Sequence, residues 1–408
     1  MKILHINQSD IYGNGAGIAA YRQHQGLLAQ SIHSRLLVGI LKTNSTHVAS
    51  VPKNKRRIES LLYRFTSQVG LNDVNYIGSF DIHNHNFYKE ADILNFHNIH
   101  SGYFSYLALP SLTATKPAVF TLHDMWSFTG HCCYSHDCER WKVGCGKCPY
   151  LDTYPAVKRD NTSVEWNLKK WIYSRSNLTF VTNSSWLVEQ AKQSMLINFP
   201  IHYIPQGIDT EAYQPLEKEQ CRALLGIPPG KKVLMFASLD LTYPRKGGDL
   251  LLKALKSLPE SLKDEIVLLT IGNGGEAISQ AIEMPNLYLG FLSSDRLKSI
   301  AYSAADLFLF PTRADIFGLV AQEAAACGTP TVSFNVGGVP DIVRPGVTGY
   351  LARPEDANDF CSGIIQLLED EALRKQMGQN CRGIVLEEYS LELQAKRYIE
   401  LYHKVLEK

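Results

Sequence analysis

Two acids with seven residues between them, Asp315 and Glu323, bracket the segment Asp315-Ile316-Phe317-Gly318-Leu319-Val320-Ala321-Gln322-Glu323. The apolar run Leu307–Phe310 before it reads as a strand, and the Ala-rich run after it, ending in Cys327-Gly328-Thr329-Pro330, as a helix over Leu319–Cys327. Gly318 lets a ligand approach the backbone closely. The N–H groups of Phe317, Gly318 and Leu319 at the helix start can donate to an anion. Glu323, about one and a half turns inside, is placed to accept two hydroxyl hydrogens, as from a ribose, and Asp315 at the mouth suits sugar hydroxyls. An N-cap followed by a solvated Glu is the plainer reading of the same residues.

Other polar clusters follow apolar runs in the same way. Arg245-Lys246-Gly247 puts two adjacent cations after a strand, which suits a diphosphate leaving group of about two to three negative charges; an exposed basic turn is the alternative. Gly272-Asn273-Gly274 and Gly337-Gly338-Val339-Pro340-Asp341 are turn-forming. Near the N-terminus, Gly15-Ala16-Gly17 opens a helix and presents N–H groups to a phosphate or a reacting sugar, though its spacing is not the dinucleotide fingerprint. His123-Asp124 closes the run Ala118–Leu122, at the strand end where open α/β sheets keep their sites. His97 and His100 follow the run ending at Phe96 and are placed to line an acceptor side.

Five of the nine cysteines fall between Cys132 and Cys148. Cys145-Gly146-Lys147-Cys148 is a C-x-x-C knuckle. With Cys138 and Cys132 (or Cys133) it offers four thiolates, enough for a closed tetrahedral zinc of structural kind, with His131 and His136 in reserve. Free thiols in a packed loop, or disulfides on oxidation, account for them equally. Pro52–Phe65 interleaves Lys53, Lys55, Arg56, Arg57 and Arg64 with Ile58, Leu61, Leu62, Tyr63 and Phe65. Such a stretch is either an ordinary surface helix or one that lies on an anionic membrane.

Short apolar runs alternating with helical patterns must position these groups. Lys2–Ile6, Arg35–Val38, Asp92–Phe96, Ala118–Leu122 and Leu178–Val181 predict strands, with a helix over Ile18–Gln30. The pattern restarts near residue 230 with Lys232–Ala237, Ile266–Ile271, Leu287–Leu289, Leu307–Phe310 and Thr331–Phe334, separated by helices over Asp249–Leu258, Ser294–Ala304 and Leu319–Cys327. This predicts two doubly wound parallel α/β domains, the first over 1–205 with a Cys-rich loop at 131–149, the second over 206–390. The amphipathic stretch 391–408 is expected to pack back on the first. A chain of 408 residues suits two domains. A net charge of +1 disfavours a nucleic-acid partner. With no signal-like start and no apolar run of about 18 residues, the cytoplasm is the expected location.

The segment from Asp315 to Pro330 resembles the signature of the family 4 retaining glycosyltransferases: two acids separated by seven residues, Phe-Gly after the first, and an Ala-rich Cys-Gly-Thr-Pro ending. It departs in carrying Asp315 where Glu is usual. Arg245-Lys246-Gly247 resembles the family's diphosphate-binding Lys-Gly, Gly337–Asp341 its next loop, and His123 the His that contacts the donor sugar. The resemblance spans nearly the whole chain and is densest from Arg245 to Leu351. It implies the GT-B fold, two Rossmann-like domains facing across a cleft, and transfer of a sugar with retention from a nucleotide diphosphate-sugar to a glycan or lipid-linked acceptor, in polysaccharide or glycolipid synthesis. Catalysis would then rest on His123, Asp315, Arg245 and Lys246, and donor binding on Gly15, Gly17, Phe317, Gly318, Leu319 and Glu323. No catalytic metal is expected, and Cys132, Cys138, Cys145 and Cys148 are the candidate ligands of a structural zinc. Peripheral contact with the inner face of the membrane fits the basic stretch. A nucleotide-sugar epimerase on the same fold and a non-catalytic nucleotide-sugar-binding scaffold are the competing readings.

Overall fold

The structure, a computed structural model, describes residues 1–10, 15–53 and 55–407. The chain forms two compact units, Met1–Gly207 with Glu392–Lys408, and Ile208–Leu391.

The first unit holds a seven-stranded sheet of β1 (Lys2–Ser9), β2 (His33–Ile40), β3 (Val48–Ser50), β4 (Ile93–Phe96), β5 (Ala118–Leu122), β6 (Leu178–Thr182) and β7 (Ile201–Tyr203), in the order β3-β2-β1-β4-β5-β6-β7. All pairings are parallel. Every residue of β4, β5 and β6 is buried. That is why these strands read as continuous apolar runs rather than alternating ones: a parallel sheet is covered on both faces. β3 and β7, absent from the sequence reading, are three-residue edge strands that are largely not buried, so they carry no apolar run.

The helix Leu391–Leu406 belongs to this unit. Ala395, Tyr398, Leu401, Tyr402 and Val405 pack in one cluster with Ile3, Leu27, Ile93, Val119 and Val181. The Tyr402 hydroxyl accepts from Asn95 Nδ2 at 2.7 Å and from Gln23 Nε2 at 3.0 Å, so its polar end is satisfied inside the core. The first helix runs over Gly15–Ala29, three residues earlier at its start than the periodicity predicts.

The second unit holds a parallel sheet of β8 (Lys232–Asp240), β9 (Ile266–Asn273), β10 (Asn286–Tyr288), β11 (Leu307–Phe310), β12 (Thr331–Phe334) and β13 (Gly349–Ala352), in the order β10-β9-β8-β11-β12-β13. β13 went unread because two of its four residues are only partly buried. The strand order reverses between β8 and β11, which pair directly. In the first sheet it reverses between β1 and β4, also direct neighbours. Loops at the carboxyl ends of such strand pairs diverge and leave a crevice, the usual place for a ligand in open α/β sheets. Among the described residues, no helix is long and apolar enough to cross a membrane.

Candidate functional site

The loops that leave β8 and β11 carry the cations and the first acid. After β8, residues Pro244–Lys246 form a single tight turn that ends in Gly247 at φ +71°. A side chain on Gly247 would put its Cβ 1.8 Å from the Pro311 carbonyl oxygen, so only glycine lets this turn lie against the loop after β11. That loop is stitched to it. The N–H of Arg313 donates to the Arg245 carbonyl at 2.8 Å, and the Arg313 guanidinium grips both carboxylate oxygens of Asp249 at 2.7–2.8 Å. From below, the Gly338 N–H donates to the Asp315 carbonyl at 3.0 Å. A Cβ on Gly337 would lie 2.1 Å from that oxygen. Thus Gly337-Gly338, read from sequence as a turn, is the shelf on which Asp315 rests.

These contacts bring Arg245, Lys246 and Asp315 together. Lys246 Nζ lies 2.7 Å and Arg245 Nη1 3.3 Å from the same oxygen, Asp315 Oδ2. Burial disfavours the charge on Lys246 and lowers its pKa, with Asp315 opposing. Burial also works against an ionised Asp315, yet Lys246 and Arg245 together hold its carboxyl below the usual range. Three residues on from Asp315, Gly318 at φ +92° caps the helix Leu319–Ala326, whose first N–H groups have no intrahelical acceptor. Glu323 is buried rather than solvated, and the Tyr302 hydroxyl donates to its Oε2 at 3.2 Å. Tyr302 was not legible as a site residue, because it reaches Glu323 from a neighbouring helix 21 positions away. All the residues assigned to the donor from Arg245 to Glu323 therefore lie at one sheet end of the second unit.

In the first unit, His123 follows β5 and joins a column of histidines built by neighbouring strands. His5 Nδ1 is 2.9 Å from His97 Nε2, and His97 Nδ1 is 2.9 Å from His123 Nε2. The rings stack at 5.2 Å between centroids in both steps. Gln206 sets the protons. Its Oε1 accepts from Gln394 at 3.1 Å, which turns its Nε2, a donor only, toward His123 Nδ1 at 3.4 Å. His123 Nδ1 is then an acceptor, its Nε2–H donates to His97, and His97 Nε2–H donates to His5. The remaining proton sits on His5 Nε2, buried without a partner. Both nitrogens of His123 are engaged, and the 3.4 Å bond to Gln206 is the one a ligand hydroxyl would displace. Burial holds His123 down at about 4, although Asp124 pulls the other way.

His97 and His100 do not line an open face; both are buried. His100 Nε2 donates to Asp124 Oδ2 at 2.9 Å, Nδ1 meets Ser101 Oγ at 2.5 Å, and Cys133 Sγ lies 3.8 Å from Nε2. Asp124 also accepts the Trp126 N–H at 2.9 Å. The chain beyond His123 is thus tied down by its own neighbour. It is tied again by buried Lys169, whose Nζ donates to the carbonyls of Trp126 at 2.8 Å and Thr129 at 3.2 Å. Among the described residues, His100, Asp124 and Cys133 are the one set of three ligand-type groups within 4.8 Å of one another, and direct hydrogen bonds account for it.

Cys132, Cys138, Cys145 and Cys148 share the loop as free thiols and do not form such a set in this structure. Burial pushes the Cys132 thiol up to about 11 and that of Cys145 to about 12, so each is neutral as it stands. Gly15 is exposed and Gly17 buried in the first turn of its helix, while residues 11–14, which complete the Gly-rich turn, lie outside the described residues.

Two doubly wound units with these loops define the GT-B class of glycosyltransferase. The sucrose-phosphate synthase of Thermosynechococcus elongatus matches over 99% of both chains with a TM-score of 0.72 at 18% identity. Anabaena HepE, in complex with UDP and glucose, matches over 99% of both at 0.66 and 19%. Two family models cover most of the sequence: glycosyltransferase family 4 over residues 13–212 and glycosyl transferases group 1 over residues 217–383. The chain belongs to the family 4, group 1 glycosyltransferases. It is 28% identical over 244 residues to the N-acetyl-alpha-D-glucosaminyl L-malate synthase of Bacillus anthracis, a match that takes in 59% of this chain and 63% of that relative.

Proposed function

We propose that this chain moves a sugar from a nucleotide diphosphate-sugar to a glycan or lipid-linked acceptor with retention, in cell-surface polysaccharide or glycolipid synthesis. The observation that carries the reading is the convergence of Arg245, Lys246, Asp315 and the N-terminus of Leu319–Ala326 beside the strand reversal of the second unit. In this reading Glu323 accepts the ribose hydroxyls, and Asp315 with the N–H groups of Phe317, Gly318 and Leu319 orients the sugar. Arg245 and Lys246 neutralise the departing diphosphate, so no catalytic metal is required. The first unit holds the acceptor and supplies Gly15, Gly17 and His123. The departing phosphate takes the acceptor's proton on the face it leaves, which gives retention without a protein nucleophile. That HepE binds UDP-glucose supports a donor of this type.

Two accompanying features belong to the same reading. The helix Arg56–Gln68 turns Ile58, Leu61 and Phe65, spaced three and four apart, outward at 54%, 67% and 69% exposure, with Arg57 and Arg64 exposed beside them. Its one acid, Glu59, instead accepts the Gly78 N–H at 2.7 Å. An apolar stripe edged by cations suits an anionic bilayer surface, which would hold the enzyme at the inner face of the membrane. The Cys loop is read as the seat of a structural zinc that draws Cys132, Cys138, Cys145 and Cys148 together. The Gly130 N–H already donates to Cys145 Sγ at 3.2 Å, which opposes the upward push of burial on that thiol.

A thermal-shift panel of UDP, GDP, ADP and their glucose conjugates tests the donor site, with Glu323→Ala as control. One nucleotide series raises the melting temperature, by an amount set by RT ln(1 + [L]/Kd), and the control abolishes it. A folded protein that responds to none of them at saturating concentration would falsify the donor reading.

A further inference from the structure

One carboxylate oxygen is shared by the two cations that the donor reading assigns to a diphosphate. Asp315 Oδ2 is within 2.7 Å of Lys246 Nζ and 3.3 Å of Arg245 Nη1, the two cations that a donor diphosphate would need. The three side chains are only 16–19% exposed, so their charges act on one another through little water. Their backbones are latched. Arg245 Nη1 donates to the Ala314 carbonyl at 2.6 Å, the Arg245 carbonyl accepts from Arg313 at 2.8 Å, and the Asp315 carbonyl accepts from Gly338 at 3.0 Å. Exchange of the carboxylate for a phosphate therefore leaves Asp315 in place, beside the bound group.

The geometry points to Asp315 as a charge filter, one that disfavours the free nucleoside diphosphate against the sugar-bearing donor and so speeds loss of the spent product. The inference rests on the donor reading above. A diphosphate esterified at both ends carries two negative charges. Freed of its sugar, it carries about three near neutral pH, because a terminal phosphate ionises a second time near pH 6. Two acceptors on one ammonium, each about 2.8 Å away and about a tetrahedral angle apart, lie roughly 4.5 Å from each other. At an effective dielectric near 20, the extra charge beside the Asp315 carboxylate weakens binding on the order of several hundredfold. The sugar works in the same direction, since its hydroxyls give Asp315 hydrogen bonds that the free diphosphate cannot supply. A residue that only braced the two cations would help both ligands alike.

Isothermal titration of UDP, GDP and ADP, and of their glucose conjugates, separates these outcomes in the wild type and in Asp315→Asn, Asp315→Ser, Asp315→Glu and Glu323→Ala. In Asp315→Asn the free diphosphate of the bound series tightens on the order of several hundredfold, while its glucose conjugate gains little or weakens. Asp315→Ser, which deletes the same charge with a smaller side chain, repeats the effect if the Asn variant does not fold. Asp315→Glu keeps the wild-type ratio, and added salt narrows the gap between wild type and Asn. Equal changes for both ligands, or weaker binding of the free diphosphate, overturn the filter. The donor reading then survives, because binding persists and is lost in Glu323→Ala. No binding of any nucleotide to folded wild-type protein overturns both.

Discussion

Acidification from pH 7 to pH 5 sets the buried histidines of the first unit against its fold, and His24 allows the effect to be sized. It lies fully buried in the helix Gly15–Ala29, with Nδ1 2.7 Å from Ser34 Oγ and Nε2 without a partner. Burial, and then the nearby His47, lowers it to about 4, against 6.5 in the open chain. The folded value lies below the unfolded one, so the unfolded chain takes up the proton first. Stability is therefore intact above about pH 6.5 and drains away as pH falls toward 4. At pH 5 the gap is about 1.5 units, or about 2 kcal/mol from this one residue. His123, also near 4, and His5 and His97, both lowered by burial, act in the same direction. Glu165 opposes them. Burial raises it to about 8, so its neutral form is the native one and stability is gained as pH falls from 8 toward 4.5.

The difference between wild type and His24→Gln removes Glu165 and all other shared groups. Urea unfolding followed by tryptophan fluorescence is the assay. All five tryptophans, Trp126, Trp141, Trp166, Trp171 and Trp186, lie in the first unit, so the signal reports that unit alone. Whatever its stability at pH 7, the Gln variant should lose about 2 kcal/mol less than wild type on going to pH 5. Parallel pH profiles for the two proteins would refute the argument that His24 stays neutral in the fold.

Gly247→Ala should abolish nucleotide-induced thermal shifts, because the added methyl meets the Pro311 carbonyl and parts the cations from Asp315; an unchanged shift would show that the turn is not what positions them. Lys169→Met should destabilise the first unit by about 3 kcal/mol in the same urea assay, since it strips the buried carbonyls of Trp126 and Thr129 of their charged donor; a loss under about 1 kcal/mol would refute the strut role. Purified protein should carry about one zinc per chain, lost in Cys145→Ser/Cys148→Ser, by elemental analysis; metal-free, folded wild type speaks for free thiols. Leu61→Glu/Phe65→Glu should prevent sedimentation with vesicles rich in anionic lipid while leaving nucleotide binding intact, and equal sedimentation of both proteins would remove the membrane surface from the reading.

Much of this molecule is legible along the chain, for a physical reason. Strands covered on both faces must be apolar throughout, so β5, β11 and β12 appear in the sequence with the ends they have in the fold. The helix cap at Gly318 and the adjacent cations at Arg245-Lys246 are local patterns, readable because neighbours in sequence perform them. The edge strands β3, β7 and β13 left no such trace, since one paired side and partial burial relax the demand for apolar residues. What no local pattern carries is adjacency across strands. His5, His97 and His123 are 92 and 26 positions apart and meet only because β1, β4 and β5 lie side by side. In the same way the pairing of β8 with β11 brings Lys246 to Asp315 across 69 positions. The sequence determined which segments become buried strands and which turns can meet an anion. The order of strands in each sheet, a long-range choice made by packing, decided which charges and which rings would face one another.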